Sequence, residues 1–185
     1  MQRIDTELPG VSIIEAEVFE DSRGSFFEAY HREKFAALGI DATFVQENQS
    51  HTRRGVLRGL HYQLAHPQAK LCRVVAGEVF DVAVDLRIGS ETFGRWVGAV
   101  LSASNRRQIF IPRGFAHGFI VRSETADFIY HCDDFYHRED EGGVRWNDPS
   151  LAIEWGSVAP ELAPRDANYP TLASISQDRL PHYRR

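Results

Sequence analysis

Apolar and polar positions alternate with a period of two through much of this chain. Across residues 81–86, Val82, Val84 and Leu86 stand opposite Asp81, Ala83 and Asp85. That is the pattern of a strand, whose successive side chains point to opposite faces. Residues 56–63 read the same way, with Arg58, Leu60 and Tyr62 on one face and Gly59, His61 and Gln63 on the other. Further strands are predicted at 108–111, 118–122 and 126–132. Ala76-Gly77-Glu78, Pro112-Arg113-Gly114 and Ser123-Glu124-Thr125 supply turns between strands. One helix is predicted over about residues 31–38, with Phe35 and Leu38 on one face and Gly39 as its stop. Neither an internal repeat nor a low-complexity linker interrupts the pattern. Residues 1–185 are therefore read as one mainly β domain, with 174–185, polar and basic, as a surface tail. Closure into a barrel or jelly roll would remove exposed sheet edges.

Composition narrows the function. At 185 residues and 43% hydrophobic content, the chain can bury a sizeable core. A net charge of -5 argues against a general nucleic-acid surface, while a local group of cations around a small anion remains compatible. No window approaches the roughly 18 apolar residues of a membrane span. Met1-Gln2-Arg3-Ile4-Asp5 lacks the apolar core of a signal peptide. Cys72 and Cys132 sit singly in apolar runs and read as small buried hydrophobes in a reducing compartment. A cytoplasmic location is expected.

Two histidine segments carry the chemistry. His61 lies at an inward position of an apolar strand, where an imidazole must find partners or serve a reaction. In Pro112-Arg113-Gly114-Phe115-Ala116-His117-Gly118-Phe119, proline and glycine make a tight turn that delivers His117 to the start of the next strand. Gly59-Leu60-His61-Tyr62-Gln63 resembles the first conserved segment of the cupin superfamily, and Pro-x-Gly-x-x-His the second. The resemblance implies a cupin-type jelly roll, or double-stranded β-helix, with short flanking helices. Metal-binding cupins usually carry another histidine two residues after the first, followed by an acid. Gln63 stands there instead, and Lys70 lies downstream. An ammonium group opposes a bound cation, and a metal site wants several imidazoles or carboxylates. No metal and no other cofactor is expected.

A narrower resemblance follows from segments taken in chain order. They are Asp21-Ser22-Arg23-Gly24-Ser25-Phe26-Phe27-Glu28, Gln46-Glu47-Asn48-Gln49-Ser50, residues 56–63, Gly94-Arg95-Trp96, residues 112–119, Trp146-Asn147-Asp148-Pro149 and Arg165-Asp166-Ala167. Together they resemble the dTDP-4-dehydrorhamnose 3,5-epimerase family over about residues 3–172. The resemblance implies a metal-free homodimer that inverts C3 and C5 of a dTDP-4-keto-6-deoxyhexose on the way to dTDP-L-rhamnose. Inversion beside a ketone needs a base on one face, an acid on the other and a donor for the enolate oxygen. By resemblance, His61 is the base, Asp166 its carboxylate partner and Tyr130 the acid, while Lys70 and His117 lie near sugar O4. Arg23, Arg58 and Arg165 match phosphate or nucleotide contacts. Glu28, Gln46, Asn48 and Glu141 match polar contacts, and Phe26 or Tyr136 offers a stacking face. Arg23 and Glu28 would arrive from a partner subunit by N-terminal strand exchange.

Two departures stand out. The stretch from His61 to Lys70 is about one residue shorter than is common, which could displace the lysine. His131 follows Tyr130 where many relatives have lysine. These leave room for an enzyme inverting a single carbon, at C3 or C5. Two other classes compete: a non-catalytic nucleotide-sugar-binding cupin and, third, a metal-dependent cupin oxygenase.

Overall fold

The computed structural model describes residues 1–156 and 159–183. In chain order the strands are β1 (Gln2–Asp5), β2 (Ser12–Glu15), β3 (Val18–Asp21), β4 (Gly24–Phe27), β5 (Gln46–Arg53), β6 (Leu57–Gln63) and β7 (Lys70–Ala76). They continue with β8 (Glu78–Asp85), β9 (Trp96–Ser102), β10 (Gln108–Ile111), β11 (Phe115–Val121), β12 (Thr125–Cys132) and β13 (Glu141–Gly143). Two short helices, α1 (Arg32–Ala37) and α2 (Pro164–Ala167), flank them.

From β5 onward most consecutive strands change sheets, β8 and β9 staying together. A six-stranded sheet runs β1-β2-β10-β7-β12-β5 and faces a five-stranded sheet β13-β6-β11-β8-β9. The chain crosses from β7 to β8 at Gly77, and β10, β11 and β12 also alternate between the sheets. This is the jelly-roll arrangement the sequence implied. The predicted strand at 108–111 is β10. β11 begins at Phe115, three residues before the predicted strand, so His117 stands inside it rather than at its start.

Hydrophobic burial holds the sheets together from both sides of the five-stranded layer. Cys72, Val74, Ile109 and Phe128 of one sheet meet Val79, Ala83, Leu101 and Phe119 of the other. On the outer face, Leu57, Leu60, Tyr62, Val82, Val84 and Leu86 are covered by Val144, Leu151, Trp155, Leu172 and Leu180. Alternation in β8 therefore separates two buried faces. Asp81 and Asp85 are fully buried despite their charge; both Asp85 oxygens accept hydrogen bonds, whereas Asp81 is bonded through Oδ2 alone. The chain from 174 to 183 runs over this cover. Tyr62 Oη donates to the Arg179 carbonyl at 2.8 Å, and Ile88 N–H donates to the Pro181 carbonyl at 2.8 Å. α1 seats Phe35 against Ile14, Ile40 and Leu71 on the outer side of the six-stranded sheet.

One expectation fails in β6. Arg58 and Leu60 were expected on one face, opposite His61, but Arg58 and His61 line the same cavity while Leu57, Leu60 and Tyr62 share the outer core. The pairing of β6 with β11 explains it. His117 pairs with His61 and Phe119 with Arg58, so Gly59 and Leu60 together oppose Gly118. That bulge shifts the alternation by one residue. It needs glycine on both strands. Gly59 has φ +128°, and a Cβ on Gly118 would lie 2.7 Å from the Arg58 carbonyl oxygen.

Candidate active site

Between the two sheets the barrel opens into a cavity of about 450 Å³. Its walls bring together Gln46, Asn48, Arg58, His61, Lys70 and His117. Tyr130, Tyr136, Glu141, Arg165 and Asp166 complete the set of anticipated residues found there. Three others lie elsewhere. Arg23 and Phe26 belong to the β3–β4 hairpin, which pairs with neither large sheet, and Arg23 bonds Asp21 of the same hairpin. Glu28 pairs with Lys34 at 2.8 Å.

His61 is held between two carboxylates. Its Nε2 lies 2.9 Å from Asp166 Oδ1, and the second Asp166 oxygen accepts the Gly59 N–H at 3.1 Å. Burial alone would raise the Asp166 carboxyl. The hydrogen bond and charge of His61, the Gly59 N–H and Arg165 outweigh it and hold the group below the usual carboxylate range. An ionised Asp166 only accepts, so in the neutral imidazole the tautomer is fixed, with the proton on Nε2 and the lone pair on Nδ1. Nδ1 lies 3.8 Å from Glu141 Oε1. Glu141 in turn accepts from Tyr136 Oη at 2.5 Å and pairs with Arg165 at 2.6 Å. Tyr169, which the sequence reading did not single out, packs edge-on to the imidazole with centroids 5.7 Å apart. Its ring fills the space where a side chain on Gly143 would be.

The opposite sheet presents Tyr130 and Lys70. Tyr130 on β12 pairs in register with Cys72 on β7, and Lys70 with Cys132. Lys70 Nζ stands 5.7 Å from the Tyr130 ring centroid, so the shortened segment does not carry the lysine away. Burial, followed by the neighbouring Cys132 and Cys72, raises the Tyr130 phenol and keeps it protonated. His131 turns the other way, bonding Glu47 at 2.7 Å and stacking on Tyr30. His117, beside His61 on β11, gives Nε2 to Asp81 at 2.9 Å. Burial lowers its basicity more than Asp81 restores it. Asp81 also escaped the sequence reading. Its only signal was an acid between buried valines of an alternating strand.

The superfamily's metal positions do not form a donor set here. The Gln63 amide donates to the His66 and Phe135 carbonyls and accepts from His137 N–H. His61 and His117 each spend Nε2 on a separate carboxylate. Cys72 and Cys132 are free thiols.

What this geometry can do is move protons on two faces of a bound molecule: a base from β6, a neutral phenol from β12 and an ammonium from β7. The dTDP-4-dehydrorhamnose 3,5-epimerase family model matches residues 5–174. The enzyme of that name from Shigella flexneri is 52% identical over 91% of this chain and 94% of its own length. The Neisseria gonorrhoeae enzyme is 51% identical over 97% of this chain, which spans only 55% of that longer relative. The Legionella pneumophila Philadelphia 1 3,5-epimerase, solved with dTDP-4-keto-L-rhamnose, superposes with a TM-score of 0.96 at 49% identity and covers 100% of this chain and 99% of its own. On its fold, its cavity and these likenesses, the chain belongs to the dTDP-4-dehydrorhamnose 3,5-epimerase family.

Proposed function

We propose that this protein converts dTDP-4-dehydro-6-deoxy-D-glucose to dTDP-4-dehydro-L-rhamnose by inverting C3 and C5, as an isomerase of dTDP-L-rhamnose biosynthesis. The carrying observation is the placement of His61 and Tyr130 on opposing sheets across one cavity. His61 Nδ1 takes the proton from the carbon beside the C4 ketone, and the C–H electron pair moves into an enolate whose charge rests on O4. Lys70 stabilises that oxygen. Neutral His117 has given its Nε2–H to Asp81 and has no second N–H to donate, so its role is to hold the wall beside the sugar. Tyr130 returns a proton from the opposite face, and solvent resets both groups. Asp166 fixes the His61 tautomer and balances the imidazolium that forms, as a carboxylate does in hydrolase triads.

In this reading Arg58 and Arg165 grip the diphosphate, and Gln46, Asn48, Tyr136 and Glu141 contact the nucleoside; the support is that all six line the same cavity. Arg23, Phe26 and Glu28 would complete the site of a second subunit in a homodimer. The β3–β4 hairpin supports that reading, since it leaves Phe19 57% and Phe26 70% exposed on strands bonded to no large sheet. Among the described residues no helix is long and apolar enough to cross a membrane, which is compatible with a cytoplasmic setting.

The test is incubation of the keto sugar with enzyme in D2O, followed by NMR of the product. Deuterium at both C3 and C5 with the L configuration is expected. Deuterium at one carbon would make the protein a single-carbon epimerase, and no exchange at all would make it a binding module.

A further inference from the structure

Behind the cavity wall lies a second cluster that proton transfer does not use. Cys72 on β7, Asp81 on β8 and His117 on β11 converge from both sheets, all three fully or almost fully buried. Their donor atoms lie within 4.8 Å of one another. His117 Nε2 is 2.9 Å from Asp81 Oδ2 and 3.9 Å from Cys72 Sγ. The second Asp81 oxygen, Oδ1, is buried with no hydrogen-bond partner. An orphaned carboxylate oxygen inside a core is costly, and here it stands beside a thiol and an imidazole.

We propose that Cys72, Asp81 and His117 form a site for a borderline transition ion of the Zn2+ or Co2+ class, and that an ion bound there inhibits the enzyme. The donor set decides the class. Sulfur and imidazole nitrogen with one carboxylate suit such ions and not Mg2+ or Ca2+, which prefer oxygen. Bonds of about 2.0–2.3 Å to N, O and S would place one ion between the three side chains after small shifts. The proton ledger is simple. Cys72 releases its S–H proton to solvent, and the His117 proton moves from Nε2 to Nδ1, freeing Nε2 for the ion. Of the three, His117 lines the cavity, which is the side from which an ion and its fourth ligand would come. Lys70 is close enough to act electrostatically on both Cys72 and His117. It opposes the ion and keeps binding reversible. This is not the cupin metal set, since His61 and Gln63 take no part. Inhibition follows from the catalytic reading given above, because the ion would sit beneath the sugar and compete with Lys70. Binding itself does not depend on that reading.

Cobalt tests the two separately. Added to the metal-free protein, Co2+ should give a thiolate-to-cobalt charge-transfer band that saturates at one equivalent and is displaced by Zn2+. Cobalt on surface histidines such as His66 and His137 gives no such band. Cys72→Ser should abolish it, Cys132→Ser should keep it, and Cys72→Ala serves if the serine variant loses its cooperative thermal transition. Cys72→Ser should still epimerise, and its sensitivity to Zn2+ should fall by at least about tenfold, the usual effect of losing a ligand or its support. Wild-type activity lost to Zn2+ should return with EDTA. Absence of the band in the wild type, or its persistence in both Cys72 variants, overturns the site. A band without inhibition overturns only the inhibitory role.

Discussion

At the scale of single residues, the proposed mechanism assigns different lesions to His61 and Tyr130. His61→Ala removes the base, so inversion and solvent exchange should both fall by at least about 100-fold. Tyr130→Phe keeps the ring and deletes only the hydroxyl. His61 can still form the enolate and return a solvent-derived proton to the original face. This variant should therefore keep deuterium exchange while losing inversion, most clearly at C5, as read by NMR in D2O. Wild-type inversion in Tyr130→Phe would make the phenol a packed aromatic. The groups proposed to act at the sugar, which the structure brings into one cavity, were legible because short motifs mark them: His61 inside an apolar strand, Asp166 in Arg165-Asp166-Ala167, Tyr130 in an aromatic strand. The groups that hold them were not. Asp81, Tyr169 and the second contact of Glu141 depend on neighbours distant in sequence. No local pattern encodes that proximity.

At the scale of elements, the bulge between β6 and β11 is what points Arg58 and His61 into one cavity. Alternation predicts strands well where pairing is regular, as in β8 and β10. It failed in β6 because Gly59 and Leu60 share a single partner, a fact belonging to two strands rather than one. Gly118→Ala probes it. The new methyl meets the Arg58 carbonyl and Gly59 Cα, both backbone, so the strands must part. A loss of about 1–3 kcal/mol is expected from such overpacking, by urea unfolding, together with weaker dTDP binding. Unchanged affinity would show that the bulge tolerates a side chain. The β3–β4 hairpin carries a separate prediction. Deleting residues 18–27 should leave the two large sheets folded by circular dichroism. It should shift light scattering toward monomer and reduce activity.

At the scale of the whole molecule, buried charge sets the response to acid. Asp85 would be raised by burial, but Arg87, Ser90 and Thr92 hydrogen bonds hold it low. Asp166 is also held low. Groups depressed in this way stabilise the fold fully above their ordinary value near pH 3.9 and lose that contribution as pH falls through the folded value. His117 is a base made less basic by burial, so its contribution is lost earlier, as pH falls below about 6.5. Thermal stability should thus decline gently below about pH 6.5 and steeply below about pH 4. Asp85→Asn should cost on the order of 3 kcal/mol at neutral pH, because it strands Arg87, and should flatten the acid limb. An unchanged acid limb would remove Asp85 from this account. There is also a consequence in time. His61 and Asp166 are 105 positions apart, and Gly143 must pair with His61 before the strand that carries the base has both neighbours. A chain emerging from the ribosome has every strand of the described residues in hand by residue 143 and still lacks Asp166, the carboxylate that holds His61. Contacts of such long range form late. In refolding, near-ultraviolet circular dichroism of the packed barrel should recover first, and epimerase activity should follow it, so that turnover marks the last closure of the chain.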